Sequence, residues 1–120
     1  MQNPDLFSKP EEYQSFTSDQ AIFCEGDPGD SLYIVAEGRV DIILGSQTIE
    51  TVGPGGMIGE FALIDDKPRS ATAIARTDCL LVQVSRPHFL TLIQRTPLFA
   101  LQVMRVMADR LRRANSHRQD

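Results

Sequence analysis

Between Tyr13 and Ser85 short apolar runs alternate with glycine-bearing turns, and this spacing limits the fold more than any other feature of the chain. Residues 21–24, 31–35, 48–52, 70–75 and 80–84 each have the length and composition of a strand. Val40, Ile42 and Leu44 alternate with Asp41, Ile43 and Gly45, as a half-buried strand requires. Gly26-Asp27-Pro28-Gly29-Asp30 is dense turn chemistry, Gly38 marks the next turn, and Gly45-Ser46 suits a two-residue hairpin. Strands recurring every ~8–12 residues between polar turns close into a sandwich or roll rather than a βαβ sheet.

The last third reads as helix. Ser85 can cap a helix with Pro87 in its first turn, running through Phe89, Leu90, Leu92 and Ile93. Thr96-Pro97 repeats the start signal for a longer helix to about Arg113. Its apolar set is wider than one amphipathic face, so one side is expected to be buried by a partner. Ala100, Met104, Met107 and Leu111 follow a zipper-like spacing, so a homodimer through the 97–113 helix is expected. The other reading buries the helix wholly within its own domain. Residues 1–12, with Pro4, Pro10 and the caps Asn3 and Ser8, suggest a loose N-terminal arm with short helical turns. The expected fold class is therefore α+β: an antiparallel β-roll of the double-stranded β-helix or jelly-roll kind over residues 13–85. Short N-terminal helical turns, a short helix near 60–64 and two C-terminal helices (86–113) accompany it, followed by a tail at 114–120.

Composition removes several function classes. A chain of 120 residues fits one domain with a single core. No stretch approaches a bilayer span and no basic region leads into an apolar run at the start, so a cytoplasmic protein without membrane attachment is expected. Cys24 and Cys79 are far apart in sequence among apolar neighbours, which predicts two buried free thiols. With only His88 and His117, and no metal-ligand spacing, no metal site is expected, which argues against a metal cupin on a similar roll. Acidic residues crowd residues 1–60, whose only bases are Lys9 and Arg39, whereas Arg105, Arg110, Arg112, Arg113 and Arg118 cluster late. Cations near a helix C-terminus complement its dipole. No helix-turn-helix fits after Arg113, so no DNA-binding motif is assigned.

The chemistry concentrates in residues 55–73. A glycine-rich turn opens into a short helix-like stretch at 60–64; a polar loop and Pro68 end it, and a strand is expected from Arg69. The backbone at 59–62 can present unpaired N–H groups to an anion, and glycine at 59 lets a ligand oxygen approach the main chain. Arg69 supplies a planar fork of donors suited to phosphate oxygens, Ser70 a hydroxyl, and Glu60 an acceptor matched to a sugar hydroxyl. These groups describe a site for a phosphate joined to a ribose. The blander alternative is a turn glycine beside a Glu60–Arg69 ion pair. Gly53, Gly55 and Gly59 do not form a dinucleotide fingerprint, and no P-loop is present.

Gly59-Glu60-Phe61-Ala62-Leu63-Ile64, followed after three residues by Pro68-Arg69-Ser70-Ala71-Thr72, closely resembles the phosphate-binding cassette of cyclic nucleotide-binding domains. Such domains serve in cAMP-dependent kinase regulatory subunits, cyclic nucleotide-gated channels and bacterial Crp-type regulators. Upstream, Phe23, Gly26-Asp27, Gly29-Asp30, Tyr33-Ile34-Val35 and Gly38 look like that family's glycine-punctuated strand pairs. Downstream, the helices broken at Pro97 look like its hinge and C-terminal helices, so the domain is expected over 13–113. The resemblance implies that Arg69 neutralises the cyclic phosphate. Ser70 and the backbone of Gly59, Glu60, Phe61, Ala62 and Ala71 complete the cradle, and Glu60 holds the ribose 2′-hydroxyl. Phe61 stands where leucine is commoner, and Ile58 where phenylalanine is. Arg110, stacking on the purine, or Asn115, bonding its edge, falls where relatives place a lid over the base.

The implied function is a non-catalytic sensor of a cyclic nucleotide monophosphate, cAMP before cGMP, signalling through its C-terminal helices to a dimer mate or effector protein. Ser70 could also reach a guanine amino group, so both ligands stay open. No cofactor other than this ligand, and no catalytic or metal-binding residue, is assigned. The rival is the same fold used only for dimerisation or protein docking, its ligand site idle.

Overall fold

Among the described residues, eight strands pair so that the first meets the last. A computed structural model describes the backbone of residues 13–118 and the side chains through residue 114; the N-terminal arm and its helical turns lie outside the described residues. The strands are β1 (Tyr13–Phe16), β2 (Ala21–Phe23), β3 (Ser31–Glu37), β4 (Val40–Leu44), β5 (Gln47–Val52), β6 (Met57–Ile58), β7 (Thr72–Ala75) and β8 (Cys79–Ser85). They form two antiparallel sheets of four, ordered β1-β8-β3-β6 and β2-β7-β4-β5. The pairs β4–β5, β3–β6, β2–β7 and β1–β8 are nested, as in a double ribbon folded across itself. This is the expected β-roll.

Inside the roll Tyr33, Val35, Val40, Val52, Ile58, Ala73, Ala75, Cys79 and Leu81 form the core, with Phe16, Ile22, Phe23 and Ile42 packed against it. The alternation expected in β4 fades outward, from fully buried Val40 to exposed Leu44 beside the Gly45-Ser46 turn. Gly38 shows why the turns need glycine. Its φ is +91°, and a Cβ there would stand 2.8 Å from Cys79 Sγ and closer still to the Asp78 carbonyl. Arg39 completes that junction: its amide donates to Thr77 Oγ1 at 3.1 Å and its carbonyl accepts from the Arg76 amide at 2.9 Å.

Among the described residues the helices are α1 (Glu60–Asp65), between β6 and β7, then α2 (Arg86–Arg95) and α3 (Pro97–Arg118). The chain divides into two compact units, one ending at Arg86 and one beginning at Pro87. In the second unit, the Thr96 amide donates to Leu92 O at 2.7 Å, and the Phe99 amide donates to Thr96 O at 2.8 Å. Thr96 thus ends α2 while its carbonyl starts α3, with Pro97, which lacks an amide to satisfy, as the first helical residue. Phe89 and Phe99 meet edge to face at 5.9 Å across the break.

Several expectations need correction. The strand expected from Arg69 begins at Thr72, because the Arg69 backbone bonds to a turn rather than to a neighbouring strand. The two-residue β6 was not anticipated, and α3 continues to Arg118 rather than ending near Arg113. Cys79 is buried but Cys24 is exposed, lying beyond the last residue of β2; both thiols are free. Along the expected seam Met104 and Leu111 are exposed, whereas Ala100 and Met107 are half-buried.

Candidate ligand site

The site is built on the two ends of the segment between β6 and β7. At its first end Gly59 takes a left-handed conformation (φ 80°, ψ 13°) as the N-cap of α1, with no side chain capping the helix. The first-turn amides of α1 have no partner within the helix, so they offer donors and a partial positive charge. Glu60, the first residue of α1, is 1% exposed. An acidic side chain in the first turn of a helix is favoured by the helix dipole.

At the other end the Arg69 main chain is fixed from both sides. Its amide donates to Asp27 O at 2.8 Å, and its carbonyl accepts from the Gly26 amide at 2.8 Å. The receiving turn is itself closed: the Cys24 amide donates to Asp27 Oδ2 at 3.0 Å, and the Asp27 amide to Cys24 O at 3.0 Å. The next rung is a Glu25 amide donating to Thr72 Oγ1 at 2.9 Å. The glycine-dense turn read from the sequence is therefore the anchor of the arginine, not merely a reversal of direction.

The Arg69 side chain is 6% exposed and lies across the segment, its Nη1 donating to Gly59 O at 3.1 Å. Its Cζ lies 4.2 Å from the centroid of the Phe23 ring, and Phe23 in turn stacks on Tyr33 at 6.2 Å. Glycines leave the room. A Cβ on Gly29 would stand 2.5 Å from Arg69 Cζ, and one on Gly59 would stand 2.5 Å from Nη1. Burial pushes the guanidinium below its usual basicity, opposed by Tyr33, Asp30, Asp27 and Glu60. An arginine remains charged through such a shift. Its Nε is buried without a hydrogen-bond partner among the described residues. A buried cation with an unsatisfied donor, beside first-turn helix amides, can receive a compact anion.

The far end of α1 is held by Arg86, the last residue of the first unit. Its Nη2 donates to Ala62 O at 3.3 Å and Leu63 O at 3.2 Å, and forms an ion pair with Asp66 at 2.8 Å. Its Nε also donates to Leu63 O at 3.3 Å, and its own amide donates to Asp30 O at 3.1 Å. Arg86 thereby gives the Leu63 carbonyl a donor and adds a second to that of Ala62, which also accepts from the Asp66 amide at 3.2 Å.

A family model described as the cyclic nucleotide-binding domain matches residues 13–96. The chain belongs to the cyclic nucleotide-binding domain family. Among curated proteins it is 42% identical over 99 residues to a cyclic AMP receptor protein of Thermus thermophilus, covering 78% of this chain and 46% of that protein. It is 36% identical over 110 residues to a CRP-like cAMP-activated global transcriptional regulator of Mycobacterium tuberculosis, covering 88% of this chain and 49% of the relative. The chain thus spans about half the length of these relatives. The crystal structure of the Thermus thermophilus catabolite activator protein superposes with a TM-score of 0.82 at 36% identity, covering 96% of this chain and 55% of that one.

In this cyclic nucleotide-binding domain the structure brings Gly59 and Arg69 into contact, with Glu60 at the start of α1 beside them. Within α1, Phe61 is half-buried and Ala62 buried; beyond Arg69, Ser70 is exposed and Ala71 buried. Arg110 lies on α3, in the second unit, and is half-buried. Asn115 belongs to the same helix, but its side chain lies outside the described residues. Three residues of the cradle were given no ligand-site role by sequence reasoning: Phe23, Gly29 and Arg86. The first two lie within the motif that carried the resemblance, and the second glycine of Gly26-Asp27-Pro28-Gly29 was the available signal. Arg86, directly before Pro87, carried none. Among the described residues no helix is long and apolar enough to cross a membrane, and no cluster of His, Cys, Asp or Glu is placed to hold a metal ion.

Proposed function

We propose that this chain is a regulatory module that binds a cyclic nucleotide monophosphate, cAMP in preference to cGMP, and performs no catalysis itself. One observation carries the reading: a buried Arg69 guanidinium, its Nε unpartnered, spans from a clamped turn to the N-cap of α1. The cyclic phosphate is neutralised by Arg69 and held by Ser70 and the main chain of residues 59–62 and 71, while Glu60 accepts a hydrogen bond from the ribose 2′-hydroxyl. Arg110 or Asn115 covers the base. The preference for cAMP is supported by the names of the two curated relatives, both of which specify cAMP or cyclic AMP.

Binding selects between two states of the α1 segment, and the helices that begin at Arg86 carry the result to a second copy of the chain or to an effector protein. The domain extends over 13–113. Exposed Leu101, Met104 and Leu111 on α3 support a homodimer through that helix. The competing role, a docking or dimerisation fold with an idle site, does not account for a charged group buried with an unsatisfied donor, which costs stability unless a ligand uses it.

Calorimetric titration with cAMP and cGMP, on the native chain and on Arg69→Ala, tests the reading. Binding by the native chain and at least a 100-fold loss in the variant are expected, consistent with removing a charge-assisted pair worth ~3 kcal/mol or more. Negligible heats in all four titrations refute it.

A further inference from the structure

A regular strand sends successive side chains to opposite faces, yet Ile22 and Phe23, neighbours in β2, both pack against the core cluster. The register explains how. Ala21 pairs with Ile74 while Phe23 pairs with Ala73, so β2 carries a bulge between them. A bulge adds a residue on one strand and re-aims the side chains beyond it, and bulges concentrate beside functional sites. Here it delivers the Phe23 ring under the Arg69 guanidinium, 4.2 Å from Cζ. Tyr33, buried in the core, stacks on the same ring with 29° between the planes. The order is therefore core tyrosine, half-buried phenylalanine, buried arginine. Gly59 closes the side of the stack, since a Cβ on it would stand 3.3 Å from Phe23 Cε2.

Among the described residues only one Arg69 side-chain nitrogen has a hydrogen-bond partner, Nη1 donating to Gly59 O, and a single bond leaves a guanidinium free to swing about it. The face of an aromatic ring attracts a cation without using any of its N–H donors. Such a contact fixes the plane of the fork while leaving the donors for an anion.

We infer that Phe23 is a positioning residue for anion recognition: the bulge in β2 sets its ring beneath Arg69 so that the guanidinium is held aimed, donors open, before a phosphate arrives. The inference rests on the proposed binding of a cyclic nucleotide, and it assigns the orientation of Arg69 to an aromatic face rather than to a hydrogen bond. An aliphatic side chain of similar volume would fill the space but leave the fork unaimed.

Two measurements on the full chain test it, with Phe23→Leu and Phe23→Tyr beside the native protein. In the ligand-free protein, the Arg69 Nε–H resonance is expected to be displaced by the ring current of Phe23, to keep that displacement in Phe23→Tyr and to lose it in Phe23→Leu. In calorimetric titration with cAMP, Phe23→Leu is expected to bind about 2- to 30-fold more weakly. Phe23→Tyr should stay within about twofold of the native chain, both variants melting cooperatively. Equal affinities for native and Phe23→Leu overturn the inference, as does a Phe23→Tyr variant as weak as Phe23→Leu, which would mean that shape alone matters. A native chain that binds neither cyclic nucleotide but shows the ring-current pattern refutes the proposed function while the placement of Arg69 stands. Absence of that pattern refutes the placement itself.

Discussion

Two glycines with similar positive φ separate the strain of a turn from the needs of the site. Gly55 and Gly59 have φ of +88° and +80°, a region costing a residue with a side chain ~1–2 kcal/mol. Around Gly55 a Cβ would meet nothing within 4 Å; around Gly59 it would meet Arg69 Nη1 at 2.5 Å and Phe23 Cε2 at 3.3 Å. Comfortable contact needs ~3.5 Å or more, so Gly59→Ala must push the guanidinium aside by about 1 Å, breaking its bond to Gly59 O. Gly55→Ala is expected to lower stability by ~1–2 kcal/mol and leave cAMP affinity unchanged. Gly59→Ala is expected to cost ~2–3 kcal/mol and to weaken cAMP at least ~10-fold, because the displaced arginine no longer faces the N-cap of α1. Thermal unfolding reads the first quantity, at about 3–6 °C per kcal/mol for a chain of this size. Calorimetric titration reads the second. Native affinity in Gly59→Ala, or equal loss of affinity in both variants, would refute the argument that Gly59 is kept open for Arg69.

Other perturbations follow from the same contacts. Arg86→Gln leaves the carbonyls of Ala62 and Leu63 without this donor and should destabilise the fold by ~1–3 kcal/mol in urea denaturation; a change below ~0.3 kcal/mol would remove Arg86 as the clamp on α1. Gly38→Ala should be the costlier substitution, ~3 kcal/mol or more, because the Asp78 carbonyl and the Cys79 main chain cannot yield as a side chain can; thermal melting within a few degrees of native would contradict this. Met104→Glu, at an exposed position of α3, should turn a dimer into a monomer in sedimentation, and an unchanged mass would remove that helix from the interface.

Much of the roll was legible because its strands and turns are local matters. Gly45-Ser46 between two apolar runs is enough to place the β4–β5 hairpin, and the break before Pro97 is visible in the residues alone. The cassette was legible because its residues lie close together in sequence. What the sequence hid depends on partners far along the chain. Nothing near Arg69 announces that both of its main-chain groups bond to the turn at Gly26 and Asp27, so the strand start was placed too early. Phe23 is aimed by a register shift against β7, and a bulge leaves little trace in composition. Arg86 looked like a helix-start residue and proves to cap a different helix. Gly59 also makes way for a nitrogen of Arg69, ten residues on, which its own neighbours in sequence do not announce.

The nested pairing of the strands also orders events in time. The hairpin of β4 and β5 closes over two residues, whereas β2–β7 and β1–β8 pair residues at least fifty apart in sequence, contacts that cost far more loop entropy unless the inner pairs form first. Residues 59–71 lie between β6 and β7, so the cradle sits on the passage from the second pair of that ribbon, β3–β6, to the third, β2–β7. The turn at Gly26 and Asp27 meets Arg69 only when those outer strands arrive. Until then the arginine has no anchor, and a chain still emerging from synthesis, with β8 unfinished, would carry the complete cassette sequence but no place to put a phosphate.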